Sequence, residues 1–536
     1  MSDARVLSRA LIKGLIAQGQ LIVISDKQVL CLDRWVDRHP GGRLPILHMV
    51  GKDATDQILV YHSSKALNQM RRYRIGVINE PWVDFEPPIS GGTFNIGDQE
   101  GKPRVVHRGI AIECDISSLE AIVLTNKKRW FENQSSVSDT LKLYSSKYNA
   151  AQFIGHATRL AVDLDLSKYP SIDIETQRNI SLSFRKLHKK VRQNGLHLCN
   201  VSNYRMEIVR YITLLLLFIF TLRYRWYITS AIFLGLFWHQ IMFVAHDAGH
   251  LAITHNFSID MIIGIFVADF CCGLSIGWWK SSHNVHHLVP NHPEHDPDIQ
   301  NVPLFATSPS FFNSLRSTYY GSIFPWDAAA DLLIPLQKYT YYPVMCVARF
   351  NLYFLSWCYL ISDQAARLPC SIWTRPVEIV CMACYWYLFG YCLVWSTIPT
   401  WPLRVAFVLV SHIATMPLHV QITLSHWGMS TTDLGASESF AQKQLRTTMD
   451  VDCPAWLDFI HGGLQFQAVH HLFPRMPRHN LRSAQILVRE FCKEVGISYT
   501  IFGFVDGNEV VLGRLGEISK QLEMLVECQK QLGSHL

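Results

Sequence analysis

The sequence predicts a mainly α integral membrane protein, with about four transmembrane helices and a small α+β domain at its N-terminus. Three observations predict it. Hydrophobic residues make up 49% of the 536 and charged residues only 17%. Several apolar runs approach the roughly 20 residues a helix needs to cross a bilayer core of about 30 Å. The 24 histidines are many for this length, and they gather just beyond those runs. A net charge of +6 is too mild to imply a nucleic-acid partner. The cysteines are scattered. Cys271, Cys272, Cys381 and Cys384 lie inside apolar runs, where cysteine acts as a small hydrophobe, so no disulfide framework is expected. No signal-peptide core precedes Leu21, so the first domain is expected to remain in the reducing cytosol.

The first predicted unit is 1–80. Leu21–Ser25 and Gln28–Leu32 are strand-like, and His39-Pro40-Gly41-Gly42 makes a tight turn that sets His39 at a pocket edge. His62 follows 23 residues later. Two neutral imidazoles at such a spacing can ligate a haem iron from opposite faces. Residues 81–205 form a connector, irregular at Pro87-Pro88 and Gly91-Gly92 and helical in pattern around 116–130 and 176–195.

The membrane unit is 206–490. Arg185, Lys186, Lys189, Lys190, Arg192, Arg205 and Arg210 precede an apolar pair, 209–222 and 227–245, and orient its N-terminal side to the cytosol. The pair ends at His246-Asp247-Ala248-Gly249-His250, two histidines at i, i+4. A second box, His283-Asn284-Val285-His286-His287, puts three imidazoles at i, i+3 and i+4 on one helix face. The third is Gln467-Ala468-Val469-His470-His471. The boxes can share a site only if an even number of crossings separates them. The runs 257–279 and 343–362 are therefore expected to be interfacial or re-entrant, and 379–398 with 403–424 to supply the second hairpin. Trp278, Trp279 and Trp401 fit an interfacial aromatic belt. The tail, 491–536, is expected to be soluble, with Ile518, Leu522, Leu525, Val526 and Leu532 on one helix face.

His412, His419 and His426 recur every seven residues on one face. The first two are expected to hydrogen-bond to a neighbouring helix, while His426 emerges at the level of the boxes. The boxes supply His246, His250, His283, His286, His287, His470 and His471 as catalytic metal ligands. With His426 they make eight, and Gln467 is a further candidate. One metal cannot take so many, so a cytosolic histidine-box di-metal domain is expected. Thiolate-free imidazole ligation suits two oxygen-activating non-haem irons. Asp247 could orient His246 or His250. Asp296 and Asp298 could act likewise but are expected to be solvated loop carboxylates, and His292 and His295 of the same loop are left outside the metal shell.

The order H-D-x-G-H, H-x-x-H-H, Q-x-x-H-H resembles the membrane fatty-acyl and sphingolipid desaturases of the front-end type, over nearly the whole chain. The segment bearing His39 and His62 is similar to cytochrome b5, whose axial ligands map onto those two residues. The resemblance implies a b-type haem beside the iron pair, and a histidine at the place of His426 that completes the metal shell. Gly277-Trp278-Trp279-Lys280, Phe473-Pro474-Arg475, and Ala468-Val469 where many acyl enzymes carry Ile-Glu, look most like fungal Δ8 sphingolipid (long-chain base) desaturases. The implied reaction consumes O2 and takes electrons from NADH. These would come through a separate cytochrome b5 reductase, since no G-x-G-x-x-G unit is present. The implied setting is the endoplasmic reticulum membrane, with haem domain and active site facing the cytosol. Other readings are a front-end acyl (Δ5/Δ6-type) desaturase, a sphingolipid hydroxylase, a membrane-anchored electron-transfer cytochrome and a metal transporter. The intact spacing of all three boxes opposes the cytochrome, and their place beyond the apolar runs opposes the transporter.

Overall fold

The computed structural model describes residues 5–94, 150–366 and 370–533, with side chains as far as 527. The helical pattern expected around 116–130 lies outside the described residues.

The N-terminal unit is built on a hairpin. Ile22–Ser25 pairs antiparallel with Gln28–Cys31, and Asp26 and Lys27 between them both take positive φ, as the twist of a two-residue hairpin turn demands. Arg74–Val77 adds the third strand beside Gln28–Cys31. Period-two alternation then splits the side chains. Ile22, Ile24 and Val29 pack on Ile12 and Ile16 of the helix Arg9–Ala17. Val23 and Leu30 face the other way, toward Val36, Ile46 and Ala54. The unit runs past the expected boundary at 80. Trp82 donates to the Gly51 carbonyl at 3.0 Å, and Phe85 and Phe94 pack against the same core.

Two helices, Ala150–Lys168 and Ile174–Gln193, follow. The second clamps the N-terminal unit to the body. Phe184, Leu187 and Val191 pack on Phe440, Phe473 and Phe491. Arg185 pairs with Asp56 at 2.6 Å, and Lys190 with Glu490 at 3.0 Å. At least these two members of the basic cluster hold protein to protein, which takes them out of the orientation count.

Four helices are long and apolar enough to cross a membrane: Tyr227–Gly249, Ala328–Ile361, Ser371–Thr397 and Trp401–Trp427. The number matches expectation but the membership does not. The expected first span belongs to Tyr204–Arg223, whose Arg205, Glu207, Arg210 and Arg223 leave too short an apolar stretch. Its outer face nevertheless bares Ile212, Leu216 and Ile219, and it packs along Tyr227–Gly249. Ala328–Ile361 is long enough to span, yet both its ends meet elements of the histidine side. The Gln337 side chain bonds Ala306 and Leu515, and Gln364, just past the other end, bonds Ser281 at 3.1 Å. A segment with both ends on one side does not change the parity.

Phe257–Cys271 and Ile276–Leu288 form a pair bent by 114°. It leaves from beside the first box and returns to it, so it is re-entrant, as the parity argument requires. Gly273 makes the turn at φ +71, where a Cβ would strike the Tyr385 ring at 2.3 Å. The bend frees backbone N–H groups away from water, and buried carboxylates take them. Glu378 accepts from Gly277 N at 3.0 Å and from the Ser275 hydroxyl at 2.6 Å, and Asp269 accepts from Ile276 N at 3.2 Å.

The tail packs against the body of the protein. Its helix Phe504–Gly533 buries Val511, Leu515, Ile518, Leu522 and Leu525 in the cluster that holds Phe305, Tyr341 and Trp427. The side chain of Leu532 lies outside the described residues. The described cysteines are all free, as expected.

Candidate active site: two histidine clusters and an adjoining cleft

The three boxes converge. His246 and His250 close the helix Tyr227–Gly249, the second box ends the returning helix, and the third occupies the short helix Gln467–Leu472. Gly249 allows the approach, since a Cβ there would lie 2.1 Å from the ring of Trp279. Trp279 is therefore no belt residue. It stacks on His283 at 4.2 Å and lies against His246 and His250.

Two all-histidine groups of ligand atoms form, and His286 with Asp296 and Asp298 makes a third group. His246, His250, His283 and His470 make one, and His286, His426 and His471 the other, each with its atoms within 4.8 Å of one another. His287 lies between them, 4.8 Å from His250 and stacked on His471 at 4.1 Å. Gln467 is buried with Oε1 unpartnered among the described residues. His412 and His419 stay out of these groups. His419 bonds the Met345 carbonyl of a neighbouring helix as expected, whereas His412 bonds Val408 of its own helix.

The donor set fits metal. His246 Nε2, His287 Nδ1, both His426 nitrogens and His471 Nε2 are buried without hydrogen-bond partners among the described residues. Each such orphan costs about 1–3 kcal/mol unless something fills the gap. Nε2 of His250 and His470 stand 3.2 Å apart, and Nε2 of His283 and His287 3.0 Å. Two nitrogens bound to one ion at about 2.1 Å each sit roughly 3.0–3.4 Å apart.

Outer partners set the rings. His286 Nδ1 bonds Asp296 Oδ2 at 2.8 Å, and His471 Nδ1 bonds Gln444 Oε1 at 2.8 Å, which leaves Nε2 of each for an ion. Asp296 is thus no solvated loop carboxylate. It is fully buried, and it also accepts from Asn291 N and Asp298 N. Burial opposes a proton on His286, but Asp296 and Asp298 outweigh it and lift the pKa to about 9 in the metal-free site. Asp247 does not serve its neighbours as expected. His246 Nδ1 is 4.0 Å away, beyond hydrogen-bond range, and Asp247 instead accepts from Tyr204 at 2.6 Å and from Arg478.

A cleft of about 600 Å³ opens between this centre and the N-terminal unit. His39 and His62 face each other across it, ring centres 5.9 Å apart. Metal–imidazole bonds of about 2 Å would place two trans rings roughly 6.3 Å apart, centre to centre. His39 Nδ1 bonds the Gly42 carbonyl at 2.7 Å and His62 Nδ1 the Ile58 carbonyl at 3.1 Å, so both present Nε2. Burial, with the charge of His39, lowers the His62 pKa to about 3, which keeps the ring neutral and able to ligate. Val23, Leu30, Ile46 and Met49 give the cleft apolar walls.

The family model for fatty acid desaturases matches residues 224–503, and that for cytochrome b5-like haem/steroid-binding domains matches 13–79. A "Delta 8-(E)-sphingolipid desaturase" of Emericella nidulans is 50% identical over 527 residues, 98% of this chain and 96% of that one. The chain belongs to the fatty acid desaturase family. Similar relatives of the same description are 44% identical in Kluyveromyces lactis, over 99% of this chain and 95% of theirs, and 42% in Candida albicans, over 98% of each. The protein is thus a desaturase, an oxidoreductase, with a fused cytochrome b5 domain. Its families imply iron for the histidine clusters and haem for the cleft.

Several residues of the desaturase site carried no sequence signal. Asn291, at φ +57, turns the chain after box two and donates to the carbonyls of His426, Ser430 and Thr447. Gln444 joins boxes two and three by also donating to the His287 carbonyl at 2.8 Å. Arg478 bridges Asp247 and Glu207, and Glu207 in turn holds Tyr211 at 2.7 Å and His479 at 2.8 Å.

Proposed function

We propose that this desaturase introduces a double bond into the long-chain base of a ceramide at Δ8, with the E geometry named in its relatives. The carrying observation is the near full-length identity to three Δ8-(E)-sphingolipid desaturases. The cleft beside the two histidine clusters supports the same reading, because a fused electron donor must stand next to the oxidation site.

His39 and His62 would hold the haem, and the eight histidines of the boxes and His426 two irons. When bound, these groups supply single-electron transfer and oxygen activation. One CH2–CH2 unit, O2, two electrons and two protons then become CH=CH and two waters. The chain's own residues set the geometry. Asp296 and Gln444 aim His286 and His471. Arg478, between Asp247 and Glu207, fastens the end of the first box to the segment after the third. The re-entrant pair brings the centre to the rim of the apolar helices. A lipid tail can enter there while its headgroup stays in the interface.

In this reading the site and haem domain face the cytosol of an endoplasmic reticulum membrane. Electrons come from NADH through a separate cytochrome b5 reductase. The test is expression in cells lacking the activity, fed labelled dihydrosphingosine and labelled fatty acid in parallel, with mass spectrometry of ceramides. New unsaturation confined to the fatty acid overturns the substrate. A hydroxylated base without a double bond overturns the reaction.

A further inference from the structure

The cleft carries an unbalanced charge. Arg72, Lys280 and Arg475 line it, and no aspartate or glutamate does. Arg475 lies four residues beyond His471, in the Phe473-Pro474-Arg475 segment. It has no ion pair among the described residues. Among the described residues its Nε is buried without a hydrogen-bond partner, and its one polar contact is Nη2 to His255 Nδ1 at 3.5 Å. Its charge reaches across the cleft, being one of the influences that disfavour a proton on His62. Lys280, on the box-two helix, stands in the same wall, where its ammonium donates to the Gly249 carbonyl. A guanidinium left half-buried and unpaired is costly unless an anion meets it.

The anion the cleft would bring is part of its own cofactor. Haem has two propionate carboxylates on one edge, and Arg72, Lys280 and Arg475 are the cations in a lining whose other polar side chains, Gln57, Ser63 and Gln69 among them, are neutral. We propose that Arg475 binds a haem propionate, with Lys280 beside it, and so fastens the haem edge to the segment that carries the third histidine box. Arg475 is then a positioning residue. It docks the fused domain through the cofactor, and a planar guanidinium can hold a carboxylate through two parallel N–H bonds.

This inference rests on the haem reading of His39 and His62, and one experiment separates the two. The full chain is loaded with haem or with haem dimethyl ester, whose propionates carry no charge. Release to excess apomyoglobin is followed in the visible spectrum. A charge-assisted bond of this kind changes release by roughly ten- to hundredfold. Ester haem should leave the unsubstituted chain faster than haem by about that factor. Arg475→Gln should speed the release of haem but not of ester haem, and Arg475→Lys should fall between. Equal acceleration of both cofactors by Arg475→Gln, or of neither, overturns the contact. So does an unsubstituted chain that releases the two at the same rate, a result that needs no variant to fold. A chain that takes up no haem with a six-coordinate, low-spin spectrum overturns the ligand reading, and this inference with it.

Discussion

The ring of Tyr61 stands edge-on to that of His287, with centres 6.4 Å apart and planes at 87°. Tyr61 precedes the proposed haem ligand His62, and His287 lies between the two histidine clusters. Tyr61 thus links the two proposed sites, and His250 of the first cluster lines the same cleft as His39 and His62. Its hydroxyl is buried with no hydrogen-bond partner among the described residues, so packing of the ring holds it. Tyr61→Phe keeps the contact and sheds an orphan group worth about 1–3 kcal/mol, so stability should not fall and transfer should persist. Tyr61→Leu opens a gap. Stopped-flow reoxidation of the reduced haem, with oxygen and substrate present, should slow several-fold while haem spectrum and iron content hold. Unchanged reoxidation in the leucine variant would mean that electrons take another route.

His426 and His412 share a helix face in sequence but not a role in space. Fourteen residues are about 21 Å of helix. His426 stands 4.5 Å from His286 and 4.8 Å from His471, ring centre to ring centre. His412 lies flat on Phe350 at 4.5 Å, with its Nδ1 on the Val408 carbonyl. His426→Ala removes one of the three histidines of the second cluster, so iron should fall from two toward one per chain and turnover should be lost. His412→Ala should leave the iron in place and lower the melting temperature. Elemental analysis with a melting curve decides, and equal iron loss in both variants would sink the assignment.

What the sequence made legible was local. The 3.6-residue period alone put three imidazoles of the second box on one face, and parity alone kept 257–279 from counting as a crossing. What it hid depended on contacts distant along the chain. Asp296 looked like a loop carboxylate because its burial is created by the turn at Asn291 and by the helix end at His426. Asp247 was assigned to its sequence neighbours, but Arg478, 231 positions away, claims it. Length and apolarity do not say where helix ends dock: Ala328–Ile361 is long enough to span yet meets the histidine side at both ends, and Tyr204–Arg223, shorter in apolar length, still runs from Asp247 along the whole of Tyr227–Gly249. Ala468 and Val469 served as a mark of subtype, yet both are buried in the core cluster with Phe473 and Phe491, so the mark records packing.

Asp296→Asn tests the outer partner of His286. The amide keeps the shape of the side chain but removes the charge that fixes Nδ1–H of the ring. Losing such a partner typically costs 10–100-fold in metal affinity. Iron retained against a chelator should drop at one of two sites, and the Asp298 carboxylate, 3.8 Å from His286 Nδ1, should rescue little. Full retention would mean that the ring is held by packing alone.

Asp450 supplies a pH dependence with a defined sign. It is fully buried where the third box begins. It accepts from Ala468 N at 2.8 Å, from Gln485 at 2.7 Å and from Tyr499. Burial raises its pKa to about 6 against those three donors. The unfolded chain titrates this group near 3.9. Between about pH 4 and 6 the native state therefore holds more protons than the unfolded one, so this group's contribution to stability declines as pH rises through that window. The amide introduced by Asp450→Asn does not titrate, and its oxygen can still accept from Ala468 N. The stability of this variant relative to the unsubstituted chain should thus climb from pH 4 to 6 and level off above about 7, by at most about 3 kcal/mol. Parallel melting curves in detergent at half-unit pH steps measure it. A gap that stays constant, or that closes as pH rises, would mean that the three donors hold the carboxylate ionised throughout.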